Sequence, residues 1–369
     1  MLSYLRRFIY RHQRKLIVGG ILIGGGIYIH DYIKKVIKAY QERETRDILE
    51  RNRKQLHYDS IDSLCSQTAL GMSTKLNSSI INELKTDELV EQLRSRTTDK
   101  ITAWEELKVL SFTKVFTFLY ANCLLMISLR LQLNLMGGYI FRDDADKGEE
   151  NKCTINIQEK YMGLCQYFIE EGVKKLCSVI RDNVDRIVKN VPLNKNVSIP
   201  DVENILWSVH SSISNDPRDP RKILPEYILP EMYRSETFST DNQVFDQIIR
   251  ETHDLLECNA VKYIIPICVG RGLDSVMVSL CEYYKKGNSA AEEDKEPKAD
   301  SSTISGNSNR SGQYTATTKA LARIIPVLDG LIHSKRGGDT FAKKWTNELL
   351  KTDELKTLGA NVYETFSSE

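Results

Sequence analysis

All nine prolines of this chain lie at or beyond Pro192. Proline lacks a backbone donor and clashes with the preceding helical turn, so the 191 residues before it are free to form long helices. That stretch is rich in Leu, Lys, Glu, Arg and Gln, which lose little side-chain freedom in a helix. Thr102-x-x-Glu105 predicts a capping box for a helix running to about Met136, with Gly137-Gly138 as its stop. Further helices are expected over about 157–190, 200–213, 242–258, 260–284, 316–335 and 339–366. Polar loops separate them at Arg142–Asn151, Ser214–Pro225 and Lys286–Gln313. The last of these has no apolar cluster and is expected to be disordered. No convincing period-2 run appears. The expected fold class is all-α, a large irregular elongated helical bundle with an N-terminal transmembrane helix.

The first 15 residues carry Arg6, Arg7, Arg11, Arg14 and Lys15, with no acid before Asp31. Leu16 to Ile29 then runs uncharged, and Lys34, Lys35 and Lys38 close the far side. These 14 residues are short for a bilayer span of about 20. Extension through Tyr32 lengthens it, since Tyr28 and Tyr32 suit the interface and Lys15 can snorkel. A cleaved signal peptide would end in small residues, which Tyr28, His30, Asp31 and Tyr32 do not supply. A mitochondrial presequence would be Arg- and Ser-rich and amphipathic, not uniformly apolar. An uncleaved anchor fits best. Gly20-x-x-x-Gly24 either lets another helix approach or makes a short permissive helix. Both flanks are basic, so the positive-inside rule leaves orientation open.

The division read from the sequence is a basic targeting segment (1–15), an anchor (16–32), a charged helical stem (33–55) and a helical domain (56–369) containing the disordered loop 286–313. The uncharged run Val115 to Leu129 is 15 residues, holds Asn122 and Ser128, and is bounded by Lys114 and Arg130. It reads as a buried core helix rather than a second span.

Net charge is +1, so no global field draws nucleic acid. The eight cysteines form no C-x-x-C pair and read as reduced thiols. The six histidines are scattered without metal-ligand spacing. Gly270-x-Gly272 after an apolar run imitates a dinucleotide-binding turn, but Ser275 replaces the third glycine and Pro266 interrupts the strand. A helix with a local break near Gly270 is the plainer reading. His253 and Cys258, five positions apart on a helix, face different ways. Neither a catalytic site nor a metal or cofactor site is expected.

What remains is a surface for partners. Leu89, Leu93, Trp104 and Leu107 flank a polar turn from Arg94 to Lys100. Trp104 and Leu107 are one helical turn apart, beside Lys100 and Lys108. An aromatic anchor rimmed by cations suits an amphipathic helix with an acidic face. By periodicity alone, a core position is the commoner fate of a tryptophan such as Trp104.

Several separated motifs resemble the peroxisomal biogenesis factor 3 proteins, the peroxin-3 family. They are RRFIYRHQRKLIVGGILIGGGIYI, RKQLHYDS, WEELKVLSFT and RLQLNLMGGYIF, then LARIIPVLDGLIHS and NVYETFSS towards the C-terminus. Likeness is strong over about 1–142 and 318–368, and looser between. The resemblance implies a non-enzymatic, single-pass peroxisomal membrane protein with its N-terminus lumenal and its helical domain cytosolic. It implies a docking receptor for peroxin-19 and its cargo, needed for membrane protein insertion and peroxisome biogenesis. Peroxin-19 would lay an amphipathic N-terminal helix into a groove at Leu93, Trp104 and Leu107, rimmed by Arg94 and Lys100, with Arg323 nearby. A role as an organelle tether for inheritance or autophagy adaptors is the alternative.

Overall fold

In the computed structural model, the residues described are 2–95, 99–145, 153–235, 238–240, 242–293, 318–336 and 338–368. Of 2–33, 36, 37, 39–41, 145, 286–293, 335 and 336, only the backbone is described. The expected anchor (16–32), its basic flank and Gly20/Gly24 therefore have a helical backbone, and their side chains lie outside the described residues. So does most of the loop 286–313, of which residues 286–293 are helical.

Two compact units divide the chain, residues 1–59 and 60–369. The first belongs to helix α1 (Leu2–Leu84). Its residues 42–53 are all exposed, including Ile48 and Leu49.

The second unit is a helical bundle. After residues 60–84 of α1 come α2 (Thr86–Ser95), α3 (Lys100–Ala145) and α4 (Ile155–Tyr167). A π-helical turn, Phe168–Gly172, leads into α5 (Val173–Val188). Then follow α6 (Ile199–Asn215), α7 (Leu224–Ile228), α8 (Gln243–Glu257) and α9 (Asn259–Glu293). The last helices are α10 (Leu321–Asp329), α11 (Phe341–Lys351) and α12 (Asp353–Ser368). Strand is confined to two antiparallel pairs of two-residue segments among the described residues. They are β1 (Asn196–Val197) with β2 (Lys319–Ala320), and β3 (Lys335–Arg336) with β4 (Asp339–Thr340).

Helix α3 is the axis of this unit. Every residue from Leu107 to Tyr139 is buried, and α12, α5, α10 and α9 pack around it. Val115–Leu129 thus lies in the bundle interior. Two of its polar members bond back to the helix itself: the Asn122 amide donates to the Phe118 carbonyl at 2.9 Å, and the Ser128 hydroxyl to that of Leu124 at 2.8 Å. The two cations bounding the run are buried as well. Lys114 pairs with Asp329 at 2.9 Å, and Arg130 pairs with Asp62. A buried charge is tolerated only with such a partner.

Three readings of helix ends and breaks differ in the structure. The N-cap of α3 is Asp99: its carboxylate accepts from the Ile101 N–H at 3.3 Å and the Thr102 hydroxyl at 2.7 Å. Those bonds, the Thr102 hydroxyl first, hold the Asp99 carboxyl below its ordinary pKa. The capping box that does form is Ser198/Asp201, at the start of α6. Gly137-Gly138 does not stop α3, which runs on to Ala145. A Cβ on Gly138 would lie 2.7 Å from Phe366 Cβ and 2.9 Å from its carbonyl carbon, so this glycine is the slot in which α12 seats. Likewise α9 does not break near Gly270. A Cβ on Gly272 would meet Leu119 at 2.7 Å and Trp345 at 3.0 Å, so close packing accounts for that glycine.

All eight cysteines are free, and six are buried. Burial pushes the Cys165 thiol up to about 12 and Cys65 to about 11, which suppresses the reactive thiolate.

Candidate functional site

One residue, Lys85, joins α1 to α2, and its φ of 49° turns the chain sharply. Helix α2 then runs back along the start of α3. At one end of this pair the Lys114 ammonium donates to the Thr86 hydroxyl at 3.1 Å. At the other, Arg94 and Lys100 approach a common groove. The C-terminal part of α10 forms its second wall.

The groove has a volume of about 550 Å³ and is lined by Val90, Leu93 and Arg94 from α2 and by Lys100, Trp104 and Leu107 from α3. Pro326, Asp329 and Gly330 complete it. Leu107 is only 3% exposed and forms the floor, whereas Trp104, Leu93 and Val90 are half-buried. Periodicity explains the arrangement. Val90 and Leu93 share one face of α2, and Lys100, Trp104 and Leu107 share one face of α3. Leu93, Trp104 and Leu107 stand apart from the large apolar cluster that fills the interior.

Five of the eight partner-binding positions expected from the sequence thus come together: Leu93, Arg94, Lys100, Trp104 and Leu107. The other three do not line the groove. Leu89 turns towards the interior and packs on the main cluster. Lys108 is not on a rim at all. It is fully buried, and its ammonium donates to the carbonyls of Val191 at 2.7 Å and Lys189 at 3.3 Å, just past the end of α5. A cation there satisfies carbonyls that the helix end leaves without partners. Arg323 is exposed on α10, one turn before Pro326 and outside the lining.

Sequence reasoning missed Val90, Pro326, Asp329 and Gly330. Val90 was within reach, three positions before Leu93. The α10 residues are more than 200 positions away in the sequence, and no local signal announces them.

Electrostatically the groove is lopsided. Arg94 is largely exposed, with one long contact to Glu91 at 3.7 Å, and Lys100 is exposed beside it. Asp329 presents a carboxylate whose partner, Lys114, is buried behind it. A different cleft, of about 490 Å³ between α9, α11 and α12, has six charged residues in its wall: Arg271, Asp274, Glu348, Lys351, Asp353 and Glu354. Among the described residues, no group of three or more His, Cys, Asp or Glu is placed to hold a metal ion.

The fold and groove define an all-helical protein with an apolar, cation-rimmed groove on a helical hairpin. The family described as Peroxin-3 matches residues 95–140 and 137–365. Peroxisomal biogenesis factor 3 of Mus musculus is 30% identical over 382 residues, which span 100% of this chain and 98% of the relative. Its Homo sapiens counterpart is 29% identical over 383 residues, with the same coverage. Peroxisome biogenesis protein 3-2 of Arabidopsis thaliana is 20% identical over 281 residues, covering 69% of this chain and 77% of that protein. The chain belongs to the peroxin-3 family.

Proposed function

We propose that this protein is the peroxisomal membrane docking receptor for peroxin-19, and that it acts there in peroxisome biogenesis. In this reading residues 16–32 anchor it, the basic residues before them aid targeting, the N-terminus is lumenal and the helical domain faces the cytosol. The observation that carries the docking role is the convergence of Leu93, Trp104 and Leu107 with Arg94 and Lys100 in one groove.

The physics is that of helix-in-groove recognition. An amphipathic helix lays its apolar face on Leu107 and the Trp104 ring, and the exposed cations meet acidic side chains on its flank. A large aromatic residue at the centre of such a patch carries a disproportionate share of binding energy. Rim cations act mainly on the rate of encounter.

The test is titration of a peroxin-19 N-terminal helix peptide against the full chain and its Trp104→Ala variant. The variant is expected to lose about 2–4 kcal/mol of binding, the range of an interface hot spot, while its melting temperature stays nearly unchanged. Wild-type affinity in the variant, or its unfolding, overturns the groove assignment.

A further inference from the structure

We propose that the cleft between α9, α11 and α12 binds a basic peptide segment, with cationic side chains against Asp274, Glu348 and Asp353 and a backbone carbonyl at the Trp345 indole N–H. This site shares no residue with the groove on α2 and α3 and is independent of the docking role proposed above.

Three helices bring the charge together. Arg271, Asp274 and Ser275 come from the middle of α9, Glu348 and Lys351 from the last turn of α11, and Asp353 and Glu354 from the first turn of α12. Four carboxylates and two cations share a space of about 490 Å³, within the range of about 300–1,000 Å³ for ligand clefts. Both cations have a structural reason. Arg271 donates twice to the Glu354 carboxylate, at 2.8 and 3.1 Å. Lys351 ends α11, where the negative end of the helix favours a cation, and Asp353 likewise suits the start of α12. Asp274 and Glu348 have no such reason. Both are exposed, the negative end of α11 opposes Glu348, and neither pairs with a cation among the described residues. The Ser275 hydroxyl, which donates to Glu348 at 3.2 Å, is neutral. Once Arg271 and Glu354 cancel, three carboxylates face one ammonium, so the cleft favours a cation.

A second observation is polar rather than charged. Trp345 lines the same cleft, is 2% exposed, and its indole N–H is enclosed without a hydrogen-bond partner among the described residues. The benzo edge of the ring packs on α9, where a Cβ added to Gly272 would lie 3.0 Å from Cζ2 and 3.2 Å from Cη2. A buried donor without an acceptor costs stability, so such groups are rare. The hydroxyls of the wall are committed elsewhere: Ser275 to Glu348, and Thr352 to the Glu348 carbonyl at 3.0 Å. The two needs point to different parts of one ligand. Acids call for cations, and the indole calls for an acceptor. A polyamine or a metal ion supplies only the first. A peptide bearing lysine or arginine supplies both, with charge on its side chains and acceptors along its backbone.

The experiment uses the full chain in phosphatidylcholine nanodiscs, whose lipid carries no net charge. The probe is a fluorescently labelled peptide in which four lysines and arginines alternate with glycine, and its control has glutamine at every basic position. Anisotropy should show saturable binding of the probe, at least about 10-fold tighter than the control at low salt. Asp274→Asn/Glu348→Gln should weaken the probe about 3- to 10-fold at low salt and flatten its salt dependence. Trp345→Phe should weaken it about 3-fold at every salt concentration, because the bond it removes is neutral on both sides. That variant alters a packed ring, so the wild-type chain with isotope-labelled tryptophan, in detergent micelles, gives an independent reading by NMR. The Trp345 indole N–H resonance should shift on adding the probe and stay in place with spermine, a polyamine of matching charge. An unmoved resonance overturns the site, as does spermine competing as well as the probe. So does wild-type affinity in the two-acid variant, or failure of the probe to bind saturably.

Discussion

The two ends of α3 carry similar residues under opposite conditions. At its start, Lys100 and Trp104 sit in or near solvent beside Leu107 and stand apart from the main apolar cluster. From Lys108 to Arg130, cations and aromatics alike are enclosed: Lys108, Lys114 and Arg130 are buried, as are Phe112, Phe116 and Phe118. Composition does not distinguish the two ends. What differs is whether something distant arrives to pair or cover each side chain. Lys108 meets the carbonyls past α5, Lys114 meets Asp329 and Arg130 meets Asp62. Among the described residues nothing comparable covers Lys100. The start of the helix is left partly exposed, and the remainder holds the bundle together.

Three variants, from the largest expected effect to the smallest, would break or sharpen that contrast. Phe116 is fully buried, and Phe116→Ala should destabilise the protein by about 3–5 kcal/mol through lost burial and the cavity left behind. Urea denaturation measures this, and a loss under 1 kcal/mol would place Phe116 outside the load of the core. Lys108→Met keeps the stem of the side chain but leaves the Lys189 and Val191 carbonyls without their donor. The cost should be about 1–3 kcal/mol, seen as a lower melting temperature. A groove-rim role would instead leave stability untouched and weaken peptide binding. Arg94→Gln/Lys100→Gln should change stability by no more than about 0.5 kcal/mol. In stopped flow its association rate should fall several-fold at low salt and converge on wild type at high salt. A loss that persists at high salt would mean these cations bind more than charge.

Much of this was legible in the sequence wherever the governing interaction is local. The absence of proline before Pro192 gave long helices, and apolar spacing brought Leu93, Trp104 and Leu107 within reach of each other. The misreadings share one physical cause. Gly137-Gly138 has the chemistry of a helix stop, and only the approach of Phe366 turns Gly138 into a seat. Thr102 and Glu105 satisfy the capping pattern, yet Asp99, three positions earlier, takes the role because its carboxylate reaches both Ile101 and Thr102. Lys108 looks like a solvent cation until the end of α5 packs over it. Asp329 could not be placed in the groove without knowing that α10 returns to α3.

The Gly138 slot also has a consequence for synthesis. Its occupant, Phe366, follows 228 residues later (366 − 138). At translation rates of about 5–20 residues per second, that interval is roughly 11–46 s. Through it the central helix, with its long uncharged stretch, is without the element that covers it most extensively. It meets the length and hydropathy criteria of a membrane segment. Until α12 arrives and covers it, the nascent chain therefore presents an apolar helix that is destined for the interior of the bundle.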